Sequence, residues 1–329
     1  MPKYSLSALL LLFLTTLFAS GCGGSSIVED PISNLGTNTG SRVAHQSWGS
    51  YRLYNYVDGN YRLVVDLGQP VGDRPVLGER PVVILHGLGS SIIEGRFNDM
   101  AQNLLANGAT SVFGFEYDSL DPIATNGTYF GQALTYLTEN EQNRQFRFVG
   151  HSMGGLVART QFESGTNFDM QATGNLVSFV AVPHLGSQIA AELAEGPSNI
   201  AEEALAQIIL NGELSFFNAD GTPIDVSGDE PSFAELAPSS TFLGTINAGA
   251  STAHPQFDYR TIAGNDRGDN YRAFNEILGI DADDGVVDVE SANAGVIGPL
   301  ATETVPFDHS AIVEAQAAIL LISSQIGLI

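Results

Sequence analysis

Hydrophobic positions arrive in two rhythms along this chain. From Trp48 to Asp66, aromatic and aliphatic residues alternate with polar ones around Asp58-Gly59-Asn60, the pattern of a β-hairpin with its turn at Asp58-Gly59. Past residue 80 the pattern changes to short, nearly continuous apolar runs, several of them β-branched. They cover Val82 to Leu85, Ser111 to Tyr117, Phe146 to Gly150, Val177 to Val182 and Asp258 to Ala263, and they end at polar or glycine positions. Between several of these runs, Phe97 to Ala106, Phe130 to Leu137 and Leu156 to Phe162 place apolar residues at helical spacing. Strands apolar on both faces that alternate with helices predict an α/β fold with a mostly parallel central sheet flanked by helices. No internal repeat interrupts the order.

Residues 188–249 break the rhythm. Ile189 to Leu210 reads as one or two amphipathic helices rich in Ala and Glu, and a Gly/Asp/Pro-rich segment from Asn218 to Pro231 follows. An insertion of this kind in an α/β enzyme commonly sits over the site as a helical cap or lid; a peripheral excursion is the alternative. Ile208, Ile209, Leu210, Phe216 and Phe217 would give such a cap an apolar face.

Composition narrows the class. The 329 residues carry 13 Lys+Arg against 37 Asp+Glu, a formal net charge of −24, which argues against nucleic-acid binding because affinity for phosphate comes chiefly from clustered cations. With 43% apolar residues spread along it, the chain can build a full core, so wholesale disorder is excluded.

The N-terminus carries an address. Lys3 precedes an apolar stretch from Ala8 to Ala19, the layout of a secretory signal and too short to span a bilayer comfortably. The stretch ends in Phe18-Ala19-Ser20-Gly21-Cys22, small residues immediately before the single cysteine of the chain. This resembles a bacterial lipoprotein signal, with Ala19 where Leu is commonest; the resemblance implies lipidation at Cys22 and a membrane anchor there. An ordinary signal peptide with an incidental cysteine is the alternative. Residues 1–21 are then the signal, 22–44 a flexible tether rich in Gly, Ser, Asn and Thr, and 45–329 the folded domain. Gly23 rather than Asp after Cys22 resembles lipoproteins sorted to the outer membrane, where the host has one.

The candidate chemistry begins at Gly150-His151-Ser152-Met153-Gly154-Gly155, a G-x-S-x-G pattern between a predicted strand and a predicted helix. Such a turn strains the serine backbone and exposes Oγ, and glycine two residues before and after avoids clashes there. Ester chemistry at a serine needs a base and oxyanion donors. His86-Gly87-Leu88-Gly89 closes the first apolar strand in a glycine-rich loop, so the amides of Leu88 and Met153 are assigned as the oxyanion hole; His86 is expected to brace that loop and His151 to be structural. Of the histidines at 45, 86, 151, 184, 254 and 309, only 254 and 309 follow the serine late enough for the order Ser, acid, His, and His309 stands before a predicted terminal helix from Ala311 to Ile322. Asp284 in Asp283-Asp284-Gly285 is chosen as its carboxylate partner over Asp283, with Asp266 and Asp269 more distant choices.

In these residues the chain resembles the lipase-like α/β-hydrolases of bacteria and related acyl-chain hydrolases. The motifs are His86-Gly87, Gly150 to Gly155, Val182-Pro183-His184-Leu185-Gly186-Ser187, Leu236 to Ser240, Asp284-Gly285-Val286-Val287 and His309, in order from about Arg80 to the C-terminus. The resemblance implies an α/β-hydrolase fold, a Ser152-His309-Asp284 triad and acyl-ester or lipid substrates; in it the Val182 to Ser187 turn shapes the site wall, which makes His184 structural. Some relatives bind calcium beside the acid and after the histidine. Ser310 and Ala311 follow His309, and Asp281-x-Asp283-Asp284 lacks EF-hand spacing, so neither a metal nor a cofactor is expected. Acyl transfer or thioester cleavage by the same triad, and a non-catalytic envelope lipoprotein keeping the fold as a binding scaffold, are the competing readings.

Overall fold

The strands in chain order are β1 (Arg52–Val57), β2 (Asn60–Asp66), β3 (Gln69–Pro70), β4 (Pro81–Leu85), β5 (Ser111–Glu116), β6 (Arg147–His151), β7 (Asn175–Val180), β8 (Phe257–Gly264) and β9 (Thr302–Val305). In the computed structural model, which describes residues 51–93, 95–141, 143–164, 172–194, 230–249, 256–268, 275, 283–294 and 301–329, these strands form one sheet. Their spatial order is β3-β2-β1-β5-β4-β6-β7-β8-β9. The β1–β2 hairpin turns where the sequence predicts it: Asp58 and Gly59 have φ of 51° and 83°, the doubly positive geometry of a type I′ turn. It extends the sheet antiparallel to β5, while β5, β4, β6, β7, β8 and β9 run parallel.

The helices are α1 (Gly95–Ala106), α2 (Ile123–Thr138), α3 (Met153–Ser164), α4 (Gln188–Ala194), α5 (Pro231–Leu236), α6 (Thr241–Gly249), α7 (Val289–Ala292) and α8 (Gln316–Gln325). Period-two alternation sorts the buried strand residues to two faces. Val83 and Leu85 of β4 join Phe130 and Leu134 of α2 and Leu156 and Phe162 of α3 in one core, whereas Val82 and Ile84 join Phe97 and Met100 of α1 and Ile322 of α8 in the other. A parallel sheet covered on both sides explains why β4 is buried at all five positions. Among the described residues no helix is long and apolar enough to cross a membrane.

Two elements differ from the sequence expectation. Strand β9 has no apolar run: Thr302, Glu303 and Thr304 are exposed at the sheet edge, and the strand exists because its backbone pairs with Thr261 to Gly264 of β8. The predicted helix from Ala311 to Ile322 is split into a 3-10 turn, Ala311–Val313, and α8, because Ala315 is extended (ψ 124°) and restarts the helix at Gln316. Of the cap expected over 188–249, the structure describes α4, α5 and α6. The apolar positions Ile208, Ile209, Leu210, Phe216 and Phe217, the signal segment 1–21, Cys22 and the tether 22–44 lie outside the described residues.

Candidate active site

Strand β6 runs through the middle of the sheet and ends at His151; the chain then turns within one residue into α3. That residue is Ser152, at φ 52°, a left-handed conformation that costs a non-glycine residue about 1–2 kcal/mol. The turn is held by Ser152 N–H to the Val180 carbonyl at 2.9 Å and Gly155 N–H to the Ser152 carbonyl at 3.0 Å. Its tightness demands glycine at 154, where a Cβ would stand 2.3 Å from the His86 carbonyl oxygen.

Ser152 Oγ–H points to His309 Nε2 at 2.9 Å, and His309 Nδ1–H donates to Asp284 Oδ2 at 2.9 Å. Ser152 and His309 are 8% and 7% exposed and Asp284 is 0% exposed, so the chain of bonds is largely shielded from water and wholly so at Asp284. Asp284 Oδ1 accepts the amides of Val286 and Val287 at 2.9 and 2.6 Å, which locks its carboxylate plane. Strand β9 delivers His309: Phe307 N–H returns to the Val305 carbonyl at 2.9 Å, and Asp308 Oδ1 receives the Ser310 and Ala311 amides, tightening the loop around the imidazole.

The other aspartates are occupied elsewhere. Asp283 Oδ2 accepts the Val289 amide at 2.8 Å at the start of α7, and Asp266 Oδ1 accepts the Gly268 amide. Asp269, His45 and His254 lie outside the described residues. Next to the pair, burial first and then the charges of Asp283 and Asp284 push the Asp288 carboxyl above its usual range.

The His86–Gly89 loop crosses directly over the serine, so closely that a Cβ on Gly87 would lie 2.8 Å from Ser152 Cβ. His86 braces it. The ring stacks on Tyr117 at 4.3 Å, Nδ1–H donates to the Gly87 carbonyl at 2.9 Å, and the Tyr117 hydroxyl donates to the His86 carbonyl at 2.5 Å. The Gly87 carbonyl and the Leu88 N–H belong to one planar trans peptide and point in opposite directions, so fixing the first aims the second. Neither the Leu88 nor the Met153 amide hydrogen is taken up by an acceptor among the described residues. Met153 also opens α3, where unsatisfied amides and the helix dipole favour negative charge.

Sequence reasoning missed Glu116, at the end of β5. Its Oε2 accepts the Ser91 hydroxyl at 2.9 Å and the Ile92 amide at 2.7 Å, tying down the far end of the same loop. It also missed a buried polar cluster between α3 and the turn after β7. Arg159 pairs with Glu163 through Nε–Oε1 at 2.8 Å, donates to His184 Nδ1 at 3.0 Å and to Asn247 Oδ1 at 3.1 Å, while Asn247 Nδ2 donates to the His184 carbonyl. Burial and then the Arg159 guanidinium hold His184 well below the usual histidine range, so its ring is neutral and Nδ1 can accept. The turn it belongs to closes against the end of α5: Ser187 N–H meets the Leu236 carbonyl, and Ser187 Oγ–H meets the Val286 carbonyl beside Asp284. Among the described residues no group of three or more His, Cys, Asp or Glu could hold a metal ion.

No protein-family model and no curated protein matches the sequence. Solved structures do match. A Bacillus licheniformis lipase in its mature form gives a TM-score of 0.57 at 20% identity, over 84% of this chain and 98% of that one. A metagenomic carboxyl esterase gives 0.53 at 17% identity, over 82% and 83%. The protein has the α/β-hydrolase fold. A third structure on this hydrolase fold, the phospholipase PlaB from Legionella pneumophila, gives 0.56 at 15% identity over 74% of this chain and 59% of that one. At these identities the likeness is one of fold. Within the hydrolase fold of this chain, Ser152 sits at a strand-to-helix turn in the sheet centre, Asp284 lies between β8 and β9, and His309 follows β9.

Proposed function

We propose that the protein is a serine hydrolase of carboxylic esters, with lipid-like acyl esters as its substrates. The observation that carries this reading is the hydrogen-bonded series Ser152–His309–Asp284 with the serine held at positive φ. In the reaction, Ser152 Oγ attacks the acyl carbonyl as His309 Nε2 takes its proton, and Asp284 stabilises the imidazolium without becoming protonated. The amides of Leu88 and Met153 receive the oxyanion, a contribution worth about 10²–10³ in kcat per donor. His309 returns the proton to the leaving alcohol, and water deacylates Ser152 by the same route reversed.

Two features favour an apolar acyl group. The solved relatives on this fold are named as a lipase, a phospholipase and a carboxyl esterase. The cap segment also carries Ile208 to Leu210, Phe216 and Phe217. Anchoring through a lipid on Cys22 would hold the domain beside its substrate on an exported, membrane-attached protein, at the outer membrane where the host has one. Metabolic labelling with a palmitate analogue tests this part: label should enter the wild type and be lost in Cys22→Ala.

Hydrolysis of an ester series from short soluble to long emulsified chains tests the activity, with Ser152→Ala as the blank. Turnover that rises with chain length and vanishes in the blank fits a lipase, and turnover confined to short chains a carboxylesterase. No serine-dependent release of any acyl group would reject the proposal.

A further inference from the structure

His309 is gripped at three points. Asp284 supplies two: its carbonyl accepts the His309 N–H at 3.0 Å and its Oδ2 accepts the ring Nδ1–H at 2.9 Å. The third comes from the residue bonded directly to Ser152. His151 Nε2 lies 2.9 Å from the His309 carbonyl oxygen, and because a carbonyl only accepts, Nε2 carries the hydrogen.

The tautomer has a consequence. Nδ1 is then the unprotonated nitrogen, and it is buried with no hydrogen-bond partner among the described residues. The ring lies 5.0 Å from the His309 ring and 6.2 Å from that of Phe97. Burial, reinforced by any positive charge on His309, holds its proton affinity well below the usual histidine range, so the ring stays neutral beside the base. A buried nitrogen with no partner lowers stability. A phenyl ring would fill the same space without that penalty. Among the described residues the imidazole makes one hydrogen bond, and its use lies there.

We propose that His151 is a positioning residue, whose Nε2–H holds the His309 carbonyl and so indexes the loop carrying His309 to the backbone segment that carries Ser152. This rests on the reading of Ser152 as nucleophile and His309 as base. With amide, carbonyl and ring all engaged, movement of loop 306–310 relative to β6 is resisted, and the 2.9 Å approach of Nε2 to Ser152 Oγ is kept. A misplacement of roughly 1 Å at such a contact costs about 100-fold in rate.

The test uses the full-length chain as wild type, His151→Phe, His151→Gln and Ser152→Ala, with kcat and KM on a p-nitrophenyl ester and Tm for each. The glutamine amide nitrogen is as many bonds from Cβ as histidine Nε2 and can donate the same bond, whereas phenylalanine keeps the ring and loses the donor. His151→Phe should lower kcat by about 10- to 100-fold with KM within about threefold, at a Tm no lower than a few degrees below wild type. His151→Gln should recover most of that loss. The inference is overturned by a phenylalanine variant that keeps its kcat, by a glutamine variant as slow as the phenylalanine one, or by a phenylalanine variant that does not fold, since the ring would then be a packing element. A wild type with no turnover above Ser152→Ala removes the reading of the site itself, and this inference with it.

Discussion

Replacing Asp284 by Asn changes one atom and should disable the base. The carboxylate is fully buried and serves two sets of donors: Oδ1 takes the Val286 and Val287 amides, and Oδ2 takes His309 Nδ1–H. In the asparagine variant the side-chain oxygen must remain toward the two amides, because turning the NH2 group there would oppose two donors with a third. The NH2 group therefore faces His309, and the imidazole must present a lone pair at Nδ1. Its hydrogen moves to Nε2, which then points a donor at Ser152 Oγ where an acceptor is needed. Loss of tautomer and charge together is worth about 10⁴ in kcat, or about 5.4 kcal/mol at about 1.36 kcal/mol per decade. Steady-state kinetics on a soluble ester would show the drop in kcat with KM little changed, while circular dichroism should find the fold intact. Asp283→Asn keeps its bond to the Val289 amide through the side-chain oxygen and should stay within about tenfold of wild type. A fall of less than tenfold in Asp284→Asn, or a larger fall in Asp283→Asn, would refute the assignment.

Other outcomes follow from the same geometry. Gly154→Ala puts a methyl 2.3 Å from the His86 carbonyl and must push β4 and α3 apart, so activity should be lost together with about 1–3 kcal/mol of stability by urea unfolding. Phe148→Ala opens a cavity among Phe130, Phe146, Phe162 and Phe257 and should cost about 3–5 kcal/mol, read as a Tm lower by roughly 10 °C. His151 and His184 are held neutral by burial, so below about pH 6.5 the unfolded chain binds protons that the folded one does not, and stability falls with acid by up to about 1.4 kcal/mol per pH unit for each. Urea midpoints between pH 7 and pH 5 check this, and a midpoint independent of pH over that window would contradict it. Glu163, Glu235 and Asp288 have raised carboxyl pKa values and act in the opposite sense, because the folded chain holds protons there between the unfolded and the folded pKa.

Much of this arrangement was legible in the chain itself, for physical reasons that differ from residue to residue. The sheet centre announced itself because β4 is buried at all five positions and is apolar throughout, and Phe148 and Val149 of β6 are buried beside it. The serine turn was legible because close approach restricts residue choice at Gly154. Strand β9 was not, since an edge strand held by backbone bonds needs no hydrophobic signature. Helix α2 begins seven residues before its apolar stretch suggests; Asn126, Gly127 and Gly131 disguise it, yet the two glycines let α3 come close, with Thr160 and Gln161 against them. Glu116 and the bond from His151 to His309 were invisible for another reason. They join residues far apart in sequence, 24 or 25 positions from Glu116 to the loop and 158 from His151 to His309, and no local pattern encodes such a meeting.

The central claim, an activated Ser152, is tested most directly by reacting the folded chain with a fluorophosphonate and locating the adduct by peptide mass spectrometry. One adduct is expected, on Ser152, formed rapidly in wild type, slowed by orders of magnitude in His309→Ala and absent in Ser152→Ala. No adduct in the wild type, or equal labelling of Ser152 with and without His309, would contradict it.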